Sequence, residues 1–441
     1  MGSSPTSGTS SFDSVLWFIG LENKQMSSSE MVVIVGGGVS GLSCAHRLHQ
    51  AGVPFTLLEA SDVPGGRVQT DQHEGFLLDR GFQVLLTAYP EAGRILNYKQ
   101  LGLRKFTSGA LIRSGGKFHR LVDPWRQPLQ ALPSVFSPIG SFADKLKIAK
   151  LRASVSSKSL PSIFDAEDRT TLAELKRYKF SDKIIDQFFR PFFGGVFLDP
   201  ELVTSSRMFN FVFQMFSKGA VTLPAGGIGQ IAQQLAARLP SDQIRFGCRV
   251  KKIGENEVQL EDGSKVSSRV IVLATGGEAT ARLLARPFGS HQRRQVVCMY
   301  FKAPKAPFNE PCLVLNGEGS GPVNNLCVPS LVSPRYAPPG QHLISATVLD
   351  DFIEEDLEPK VIEQMHAWYG SQVNDWEPLR TYHIAEALPN QAAGVPPAFT
   401  QGKLNSSVYL CGDFCTQGSL NAAMYSGRLV AEEVMDKVQH H

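Results

Sequence analysis

Three glycines near the start of the chain have the spacing of a phosphate-binding turn. Gly36, Gly38 and Gly41 form the pattern G-x-G-x-x-G, and Glu59 follows roughly 20 residues later. The first glycine permits a tight turn, the second lets the backbone approach a pyrophosphate, and the third lets a helix pack closely on a strand. A first helical turn containing Ser40 would direct free N–H groups at the phosphates, and Glu59 could accept hydrogen bonds from a ribose. These residues predict a dinucleotide site.

The surrounding residues predict the strand–helix–strand unit that such a turn requires. "MVVIV", residues 31–35, is apolar and mostly β-branched, which indicates a buried strand. Leu42, Ala45 and Leu48 recur at helical spacing, and "FTLLE", residues 55–59, indicates a second strand ending in the acid. Because a bare glycine motif is weak evidence, this context favours a dinucleotide over an ordinary glycine-rich loop. It does not distinguish NAD from FAD.

A second glycine-rich stretch continues directly from the acid. "EASDVPGGRVQT", residues 59–70, contains Gly65, Gly66 and Arg67. The glycines would let main chain lie beside a cofactor, and Arg67 would offer a planar cation to a pyrophosphate or a flavin edge. The stretch resembles the G-G-R-x-x-T signature of the flavin amine oxidase superfamily, which also holds phytoene desaturases and protoporphyrinogen oxidase. The resemblance implies FAD and an α/β fold with a Rossmann-like, glutathione-reductase-type FAD-binding domain.

The C-terminal region carries the same resemblance. "VYLCGDFCTQGSLNAAMYSGRLVAEEV", residues 408–434, resembles the C-terminal flavin motif of the superfamily. By that resemblance Asp413, after Gly412, would bond the ribityl chain. A helix beginning near Ser419 and Leu420 would direct its positive end at the flavin N1/C2=O edge, where charge builds on reduction.

The middle of the chain supplies a third match. "LPAGGIGQIAQQLAARL", residues 223–239, resembles the segment that re-enters the cofactor domain. We expect a strand over Ile244–Ile253, in which Val250 stands where the family places backbone contacts to adenine. An Asp-Gly turn at residues 262–263 predicts a hairpin, followed by another buried strand.

These matches imply two domains that are interleaved along the chain. We assign the FAD-binding domain to residues 31–90, 218–288 and 388–438, and an α+β substrate-binding domain to residues 91–217 and 289–387. Residues 1–30 are rich in Ser and Thr, so we expect them to be disordered.

Phenylalanine is concentrated in one part of the predicted substrate domain: Phe188, Phe189, Phe192, Phe193, Phe197, Phe209, Phe211, Phe213 and Phe216. Core packing is the simpler interpretation. An apolar pocket for a lipophilic substrate is the functional alternative, and contact with a membrane surface is another.

No catalytic side chain stands out. His383 is a candidate, although an isolated histidine is more often structural. Lys302 and Lys305 lie only roughly where the amine oxidases carry their active-site lysine, and surface lysines are the better interpretation. No metal-ligand pattern and no second G-x-G-x-x-G are present, and we find no cysteine in the context for covalent flavin attachment. We therefore expect non-covalent FAD and no bound NAD(P)H.

Composition narrows the functional classes. The 441 residues carry a net charge of only +3, which does not suggest a nucleic-acid partner. The seven cysteines are odd in number and scattered, as in a reducing intracellular compartment. No apolar run is long enough to span a bilayer. No basic stretch precedes the apolar patch in residues 14–21, as a secretory signal peptide would require. We therefore expect a protein that is not secreted but lies in the cytoplasm or an organelle such as a plastid. A myristoylation pattern at Gly2 is short and common.

The resulting functional prediction is a redox enzyme. A lipophilic small molecule would give a hydride to flavin N5, by desaturation or oxidation, and oxygen or a quinone would reoxidise the cofactor. Alternatives are a redox-neutral, FAD-dependent isomerase of a carotenoid-like substrate and an amine oxidase. A non-enzymatic escort of prenylated proteins is disfavoured because the flavin positions Glu59, Arg67 and Asp413 are intact.

Overall fold

The computed structural model describes residues 32–127, 137–287, 293–349, 356–397 and 399–439. The segment for which we expected disorder, with its apolar patch and Gly2, lies outside the described residues. No helix in the described ranges is long and apolar enough to cross a membrane.

The strands, in chain order, are β1 (Val32–Val35), β2 (Phe55–Leu58), β3 (Thr70–His73), β4 (Phe76–Asp79), β5 (Leu85–Leu86), β6 (Arg104–Lys105), β7 (Gly109–Ser114), β8 (Lys117–Val122), β9 (Val221–Leu223), β10 (Ile244–Arg245), β11 (Val250–Ile253), β12 (Glu257–Leu260), β13 (Lys265–Ser267), β14 (Val270–Leu273), β15 (Arg293–Ala303), β16 (Leu313–Asn316), β17 (Val323–Cys327), β18 (His342–Leu349), β19 (Glu377–Pro389), β20 (Gly402–Lys403) and β21 (Val408–Leu410).

The α-helices are α1 (Val39–Gln50), α2 (Pro90–Ile95), α3 (Tyr98–Leu101), α4 (Phe142–Ser156), α5 (Leu160–Phe164), α6 (Thr171–Arg177), α7 (Asp182–Ile184), α8 (Arg190–Phe197), α9 (Ser206–Lys218), α10 (Gln230–Ala236), α11 (Gly277–Leu283), α12 (Pro329–Val332), α13 (Leu357–Tyr369) and α14 (Leu420–Gln439). A π-helix, Ile185–Phe189, joins α7 to α8, and 3₁₀-helices occupy Ser241–Gln243, Pro334–Tyr336, Gly370–Asp375 and Asp413–Cys415.

The first sheet has the order β10-β2-β1-β14-β21-β20. Its neighbours run parallel except β20 and β21, and β1 lies between β2 and β14. All four residues of β1 are buried, which explains the continuous apolar run that predicted this strand. The predicted β–α–β unit and the hairpin between β12 and β13 are confirmed.

Helix α1 begins directly after the glycine turn and packs against α14 from the far end of the chain. The two helices approach closely because Gly427 has no side chain. A Cβ atom there would lie 2.1 Å from the carbonyl oxygen of Ser40. Residues distant in sequence are thereby held beside the same turn.

The second sheet has the order β19-β15-β18-β17-β16-β7-β8. One face packs its apolar residues, such as Phe301 of β15 and Ile344 of β18, against Met365 and Trp368 of α13. The other face, which includes Val296, turns toward the first sheet and the helices α8 and α9 and covers a cavity.

The observed strands mostly respect the predicted domain segments. The strands of the first sheet fall within the segments assigned to FAD binding, whereas β19 continues through Pro389 and so crosses the proposed boundary at residue 388. The boundaries stay a prediction.

The single strand predicted over Ile244–Ile253 is wrong. The chain forms β10, breaks at Gly247, where φ is +66°, and then enters β11 in a separate antiparallel sheet.

Candidate active site

The glycine turn joins β1 to α1. Its first and third glycines are packed against other backbone atoms, whereas its second glycine faces open space. Gly36 has φ of +110°, and a Cβ atom on Gly41 would lie 2.0 Å from the Gly36 carbonyl oxygen. At Gly38, by contrast, a Cβ atom would meet nothing within 4 Å, and this residue lines the cavity. The turn therefore presents bare backbone to whatever occupies the cavity, as a pyrophosphate requires.

Glu59 lies directly after β2, and its carboxylate is fixed by the backbone. One oxygen accepts a 2.6 Å hydrogen bond from the Gly37 N–H, and the other accepts from the Ser61 N–H and hydroxyl, both at 2.8 Å. The residue is buried but lines the cavity. An anchored carboxylate with lone pairs to spare is suited to accept hydrogen bonds from ribose hydroxyls.

The segment that leads to Val250, the residue predicted to contact adenine, is held by hydrogen bonds to the same acid and its neighbour. The Cys248 N–H donates to the Glu59 carbonyl at 2.8 Å, and the Gly247 N–H donates to the Ser61 carbonyl at 2.9 Å. These bonds direct the chain so that Val250, the first residue of β11, lines the cavity.

The second glycine stretch lies directly on the first. The Gly65 N–H donates to the Gly37 carbonyl at 2.9 Å, and a Cβ atom on Gly66 would lie 3.4 Å from the Gly38 Cα. Gly66 has φ of +59°, a conformation that favours glycine. This close contact delivers the next residue, Arg67, into the cavity.

Arg67 joins the two ends of the chain. Its guanidinium contacts Asp413 at 2.5 Å and donates to the Ala387 carbonyl at 2.8 Å. Burial lowers the pKa of the guanidinium, but the adjacent Asp413 carboxylate outweighs it and raises the pKa overall. The sequence assigned Arg67 and Asp413 to separate parts of a cofactor and did not predict that they pair with each other.

The C-terminal motif has the predicted helix start. Helix α14 begins at Leu420, and the Ser419 side chain accepts a 3.1 Å hydrogen bond from the Ala422 N–H, as an N-cap does. The Gly412 N–H donates to the buried Ser426 hydroxyl at 2.9 Å, which ties the turn before the helix to the helix itself.

The cavity has a volume of about 930 Å³, within the range of small-molecule and cofactor sites. Its lining includes every residue predicted to bind cofactor except Gly41, which lies beneath the turn: Gly36, Gly38, Ser40, Glu59, Gly66, Arg67, Val250, Gly412, Asp413, Ser419 and Leu420. Segments from three distant parts of the chain thus meet at one cavity whose polar groups fit a flavin dinucleotide.

Beyond Arg67 the same cavity becomes a mostly apolar chamber. The inner face of the second sheet contributes Val296 and Leu313, and helices α8 and α9 contribute Phe192, Met208 and Phe216. The chamber is thus lined by residues of the predicted substrate domain and shares one cavity with the residues predicted to bind cofactor.

Most of the clustered phenylalanines contribute to the hydrophobic core. Residues Phe189, Phe193, Phe197, Phe209 and Phe211 are all buried in it. Phe192 and Phe216 alone of the nine line the cavity, and their rings lie 5.1 Å apart. Core packing is therefore confirmed for the buried members of this stretch, and a pocket for a lipophilic substrate stays a prediction for Phe192 and Phe216.

The three catalytic candidates from the sequence differ in their position relative to the cavity. Lys302 is paired with Glu74 at 3.1 Å and Glu377 at 3.2 Å, outside the main cavity, and Lys305 is exposed. His383 lines the cavity and is exposed to it. Among the described residues, no lysine lines this cavity.

Several charged cavity residues were missed from the sequence. Asp71 accepts from the Tyr382 hydroxyl at 2.7 Å and pairs with Arg80 at 3.0 Å; these contacts lower its pKa even though burial opposes the shift. Glu386 has a raised pKa because it is buried, despite the nearby Arg67. Isolated charges on a strand carry no motif, so only the alternating pattern of β19 hinted at residues facing a cavity.

A buried acid under the site was also missed. Asp79 accepts from the Thr70 hydroxyl at 2.6 Å, the Ile228 N–H at 2.9 Å and the Tyr336 hydroxyl at 2.7 Å. Burial raises its pKa to about 6 in spite of these bonds. The network explains the threonine of the G-G-R-x-x-T stretch, which joins β3, β4 and the segment before α10.

Comparison with known proteins gives a consistent family. Residues 39–435 match the model of the flavin containing amine oxidoreductases. The chain is 28% identical to protoporphyrinogen oxidase 2, chloroplastic/mitochondrial, of Arabidopsis thaliana over 183 residues, 41% of this chain but only 35% of that protein. It is 22% identical to coproporphyrinogen III oxidase of Propionibacterium freudenreichii subsp. freudenreichii over 451 aligned positions, covering 82% of this chain and 83% of that enzyme.

The fold is shared with solved structures. The crystal structure of an oxidoreductase from Methanosarcina mazei matches with a TM-score of 0.69 at 17% identity, covering 91% of this chain and 100% of that one. The family match covers most of the chain, and its description supplies the flavin that the cavity residues fit. The chain therefore belongs to the flavin-containing amine oxidoreductase family, as an FAD-dependent oxidoreductase.

Proposed function

We propose that this protein oxidises a porphyrinogen or a similarly lipophilic ring compound, with oxygen or a quinone as the final electron acceptor. The observation that carries the proposal is the apolar chamber that continues directly from the Arg67–Asp413 pair. The relatives named as porphyrinogen oxidases support the same substrate class. A large, weakly polar substrate is matched by a chamber of this lining.

The residues of this chain would hold the cofactor non-covalently. The turn at Gly36 and Gly38 would bind the pyrophosphate, Glu59 the ribose, and the backbone at Val250 the adenine. Arg67 would approach the pyrophosphate or the flavin edge and Asp413 the ribityl chain. The other residues that complete the set we propose for FAD binding are Ser40, Gly41, Gly66, Gly412, Ser419 and Leu420. When bound, FAD supplies N5 as the acceptor of a hydride from the substrate.

The remaining residues would orient the reaction and exclude water. Helix α14 begins at the cavity, so its N-terminal N–H groups would stabilise negative charge at the flavin N1/C2=O edge. Phe192 and Phe216 would hold the substrate against the reactive face. Each hydride removed from a ring C–H is accompanied by loss of one proton from a ring N–H or C–H group, and the His383 imidazole and the Glu386 carboxyl oxygens line the cavity where that proton would be taken up.

Amine oxidation is disfavoured by the lining. The amine oxidases carry an active-site lysine, and no described lysine lines this cavity. A redox-neutral isomerisation would use the same chamber and is distinguished by experiment.

The test is anaerobic reduction of the purified holoprotein. We expect protoporphyrinogen IX to bleach the flavin absorption and to yield fluorescent porphyrin, and oxygen to restore the yellow form with release of hydrogen peroxide. Putrescine, as a matched amine, should leave the spectrum unchanged. Bleaching by the amine but not by the porphyrinogen would contradict the proposal, and rearrangement of a carotenoid-like probe without net oxidation would support the isomerase.

The cellular setting stays a prediction. We propose that the protein acts inside the cell, in the cytoplasm or an organelle, because the Arabidopsis relative is named as chloroplastic/mitochondrial. Peripheral contact with a membrane would give a lipophilic substrate direct access. Co-sedimentation of the full chain with liposomes tests that contact, and absence of binding would contradict it.

A further inference from the structure

One polar pair stands in the otherwise apolar wall of the chamber. Asn325 of β17 and Thr347 of β18 are directly opposite each other in the antiparallel ladder. Both side chains line the cavity, and each residue is only 4% exposed. Because burying a polar group without a partner costs free energy, a polar pair at such a position calls for an explanation.

Two hydrogen-bond donors of the pair are not used by the hydrogen bonds that it makes. The Asn325 amide nitrogen donates to the Thr347 hydroxyl at 3.2 Å, and the Asn325 amide oxygen accepts from the Asn324 side chain at 2.9 Å. An amide nitrogen has two hydrogens, and a hydroxyl that accepts a bond still has its own hydrogen. Among the described residues, neither the second amide hydrogen of Asn325 nor the hydroxyl hydrogen of Thr347 has an acceptor.

Asn324 and helix α8 fix the orientation of the pair. The Asn324 amide nitrogen also donates to the Pro191 carbonyl at 2.9 Å, which holds it against the start of α8. Gly195 of the same helix leaves the room for this arrangement, because a Cβ atom there would lie 2.8 Å from the Asn324 amide nitrogen and 3.0 Å from the Asn325 amide oxygen. The Asn325 oxygen is thus occupied on the helix side, and its nitrogen is directed to Thr347.

Apolar side chains form much of the chamber to which the pair belongs. The neighbouring chamber walls are formed by Phe192, Val196, Leu198, Val296 and Leu313. In such surroundings a hydrogen bond discriminates strongly, because the alternative is an unpaired buried group.

We propose that Asn325 and Thr347 together recognise an oxygen acceptor, a carbonyl or carboxyl oxygen, on an otherwise apolar substrate. The two neutral donors set the position of that oxygen on the sheet wall and thereby the orientation of the substrate before the flavin. The inference deepens the proposed function and rests on it for the identity of the chamber as the substrate site.

Asn325 and Thr347 would act as an anchor for the oxygen atom, and binding of two probe molecules of nearly equal shape tests this anchor without requiring catalytic turnover. Acetophenone carries one carbonyl oxygen, and ethylbenzene carries none. Each is titrated into the FAD-loaded protein, and binding is measured from the shift of the flavin absorption bands. We expect acetophenone to bind about tenfold more tightly than ethylbenzene, the effect of one hydrogen bond in an apolar site.

The variants separate the anchor from packing. Thr347→Val and Asn325→Leu keep the volume and each removes one member of the donor pair, so each should move the ratio of the two dissociation constants toward one. Thr347→Ser keeps the hydroxyl and should retain the discrimination. Ser345→Ala, on the same strand but bonded to Cys298 rather than lining the cavity, is the matched control and should leave the ratio unchanged.

The outcomes are distinct from those of the proposed function. A ratio near one in the wild-type protein, or the same ratio in Thr347→Val as in the wild type, would overturn the anchor even if protoporphyrinogen IX is oxidised. Discrimination that depends on Thr347 while porphyrinogen is not oxidised would support the anchor and refute the substrate. If Asn325→Leu fails to fold, the Val and Ser variants of Thr347 still decide the result.

Discussion

The two glycines Gly38 and Gly41 differ in what surrounds them, and this predicts opposite consequences of adding one methyl group. At Gly41 the new Cβ would overlap a backbone carbonyl oxygen at 2.0 Å, and backbone cannot rotate away as a side chain can. At Gly38 the new Cβ would point into open cavity, and its φ of −70° and ψ of 176° suit alanine equally well.

The magnitudes follow from these contacts. We expect Gly41→Ala to lower the free energy of unfolding of the FAD-free protein by about 3 kcal/mol or more, the cost of strong overpacking. Gly38→Ala should change it by less than about 1 kcal/mol. The methyl group would, however, keep a pyrophosphate from the backbone N–H groups, and losing one charge-assisted hydrogen bond of about 1.5–3 kcal/mol lowers FAD affinity roughly 10- to 150-fold.

The assay needs two measurements on the same preparations. Urea unfolding of the FAD-free proteins gives stability, and quenching of FAD fluorescence on titration gives affinity. The reasoning is refuted if Gly38→Ala binds FAD as the wild type does, or if it loses as much stability as Gly41→Ala. The first result would mean that the pyrophosphate does not lie in the open space beside Gly38, and the second would mean that this space is not open.

Three further outcomes are expected. Burial raises the pKa of Asp79 to about 6, above roughly 4 in an unfolded chain. The folded state therefore binds more protons between about pH 4 and 6, and the free energy of unfolding falls by about 3 kcal/mol as the pH rises through that window. Asp79→Asn should flatten this pH dependence in urea unfolding, and an unchanged slope would contradict the role assigned to Asp79. A double-mutant cycle of Arg67→Met and Asp413→Asn should give a coupling of about 1 kcal/mol, since Arg67 is partly exposed to solvent, and strictly additive effects would exclude the pair as a stabilising contact. Phe189→Ala should cost about 3–5 kcal/mol of stability, whereas Phe192→Ala should mainly raise KM for porphyrinogen; the reverse order would show that the core and chamber roles are exchanged.

Much of the cofactor side could be predicted from sequence because its requirements are local. A turn that needs Gly36, a close approach that needs Gly41 and an acid at the end of the next strand all leave a fixed spacing in the chain. The start of α14 near Ser419 and Leu420 followed from the resemblance of the C-terminal motif, and the structure shows that Ser419 caps the helix there. In each case a few neighbouring residues determine the backbone.

The rest depends on contacts between distant segments. Nothing near Arg67 in the chain indicates that it pairs with Asp413, and nothing near Asn325 indicates that it lies opposite Thr347. The break at Gly247 was missed because apolar and basic residues on either side fit one strand equally well as two. Sheet register and domain packing set these arrangements, and a single sequence does not display them.

The most direct test of the central claim is the flavin content and reactivity of the purified 441-residue protein. The convergence of the three distant segments on one cavity predicts a yellow protein with one FAD per chain, released on denaturation, whose absorption is bleached by protoporphyrinogen IX in the absence of oxygen. A colourless protein that takes up no FAD at micromolar concentration would contradict the account of the site. A yellow protein that no porphyrinogen reduces would contradict the proposed substrate.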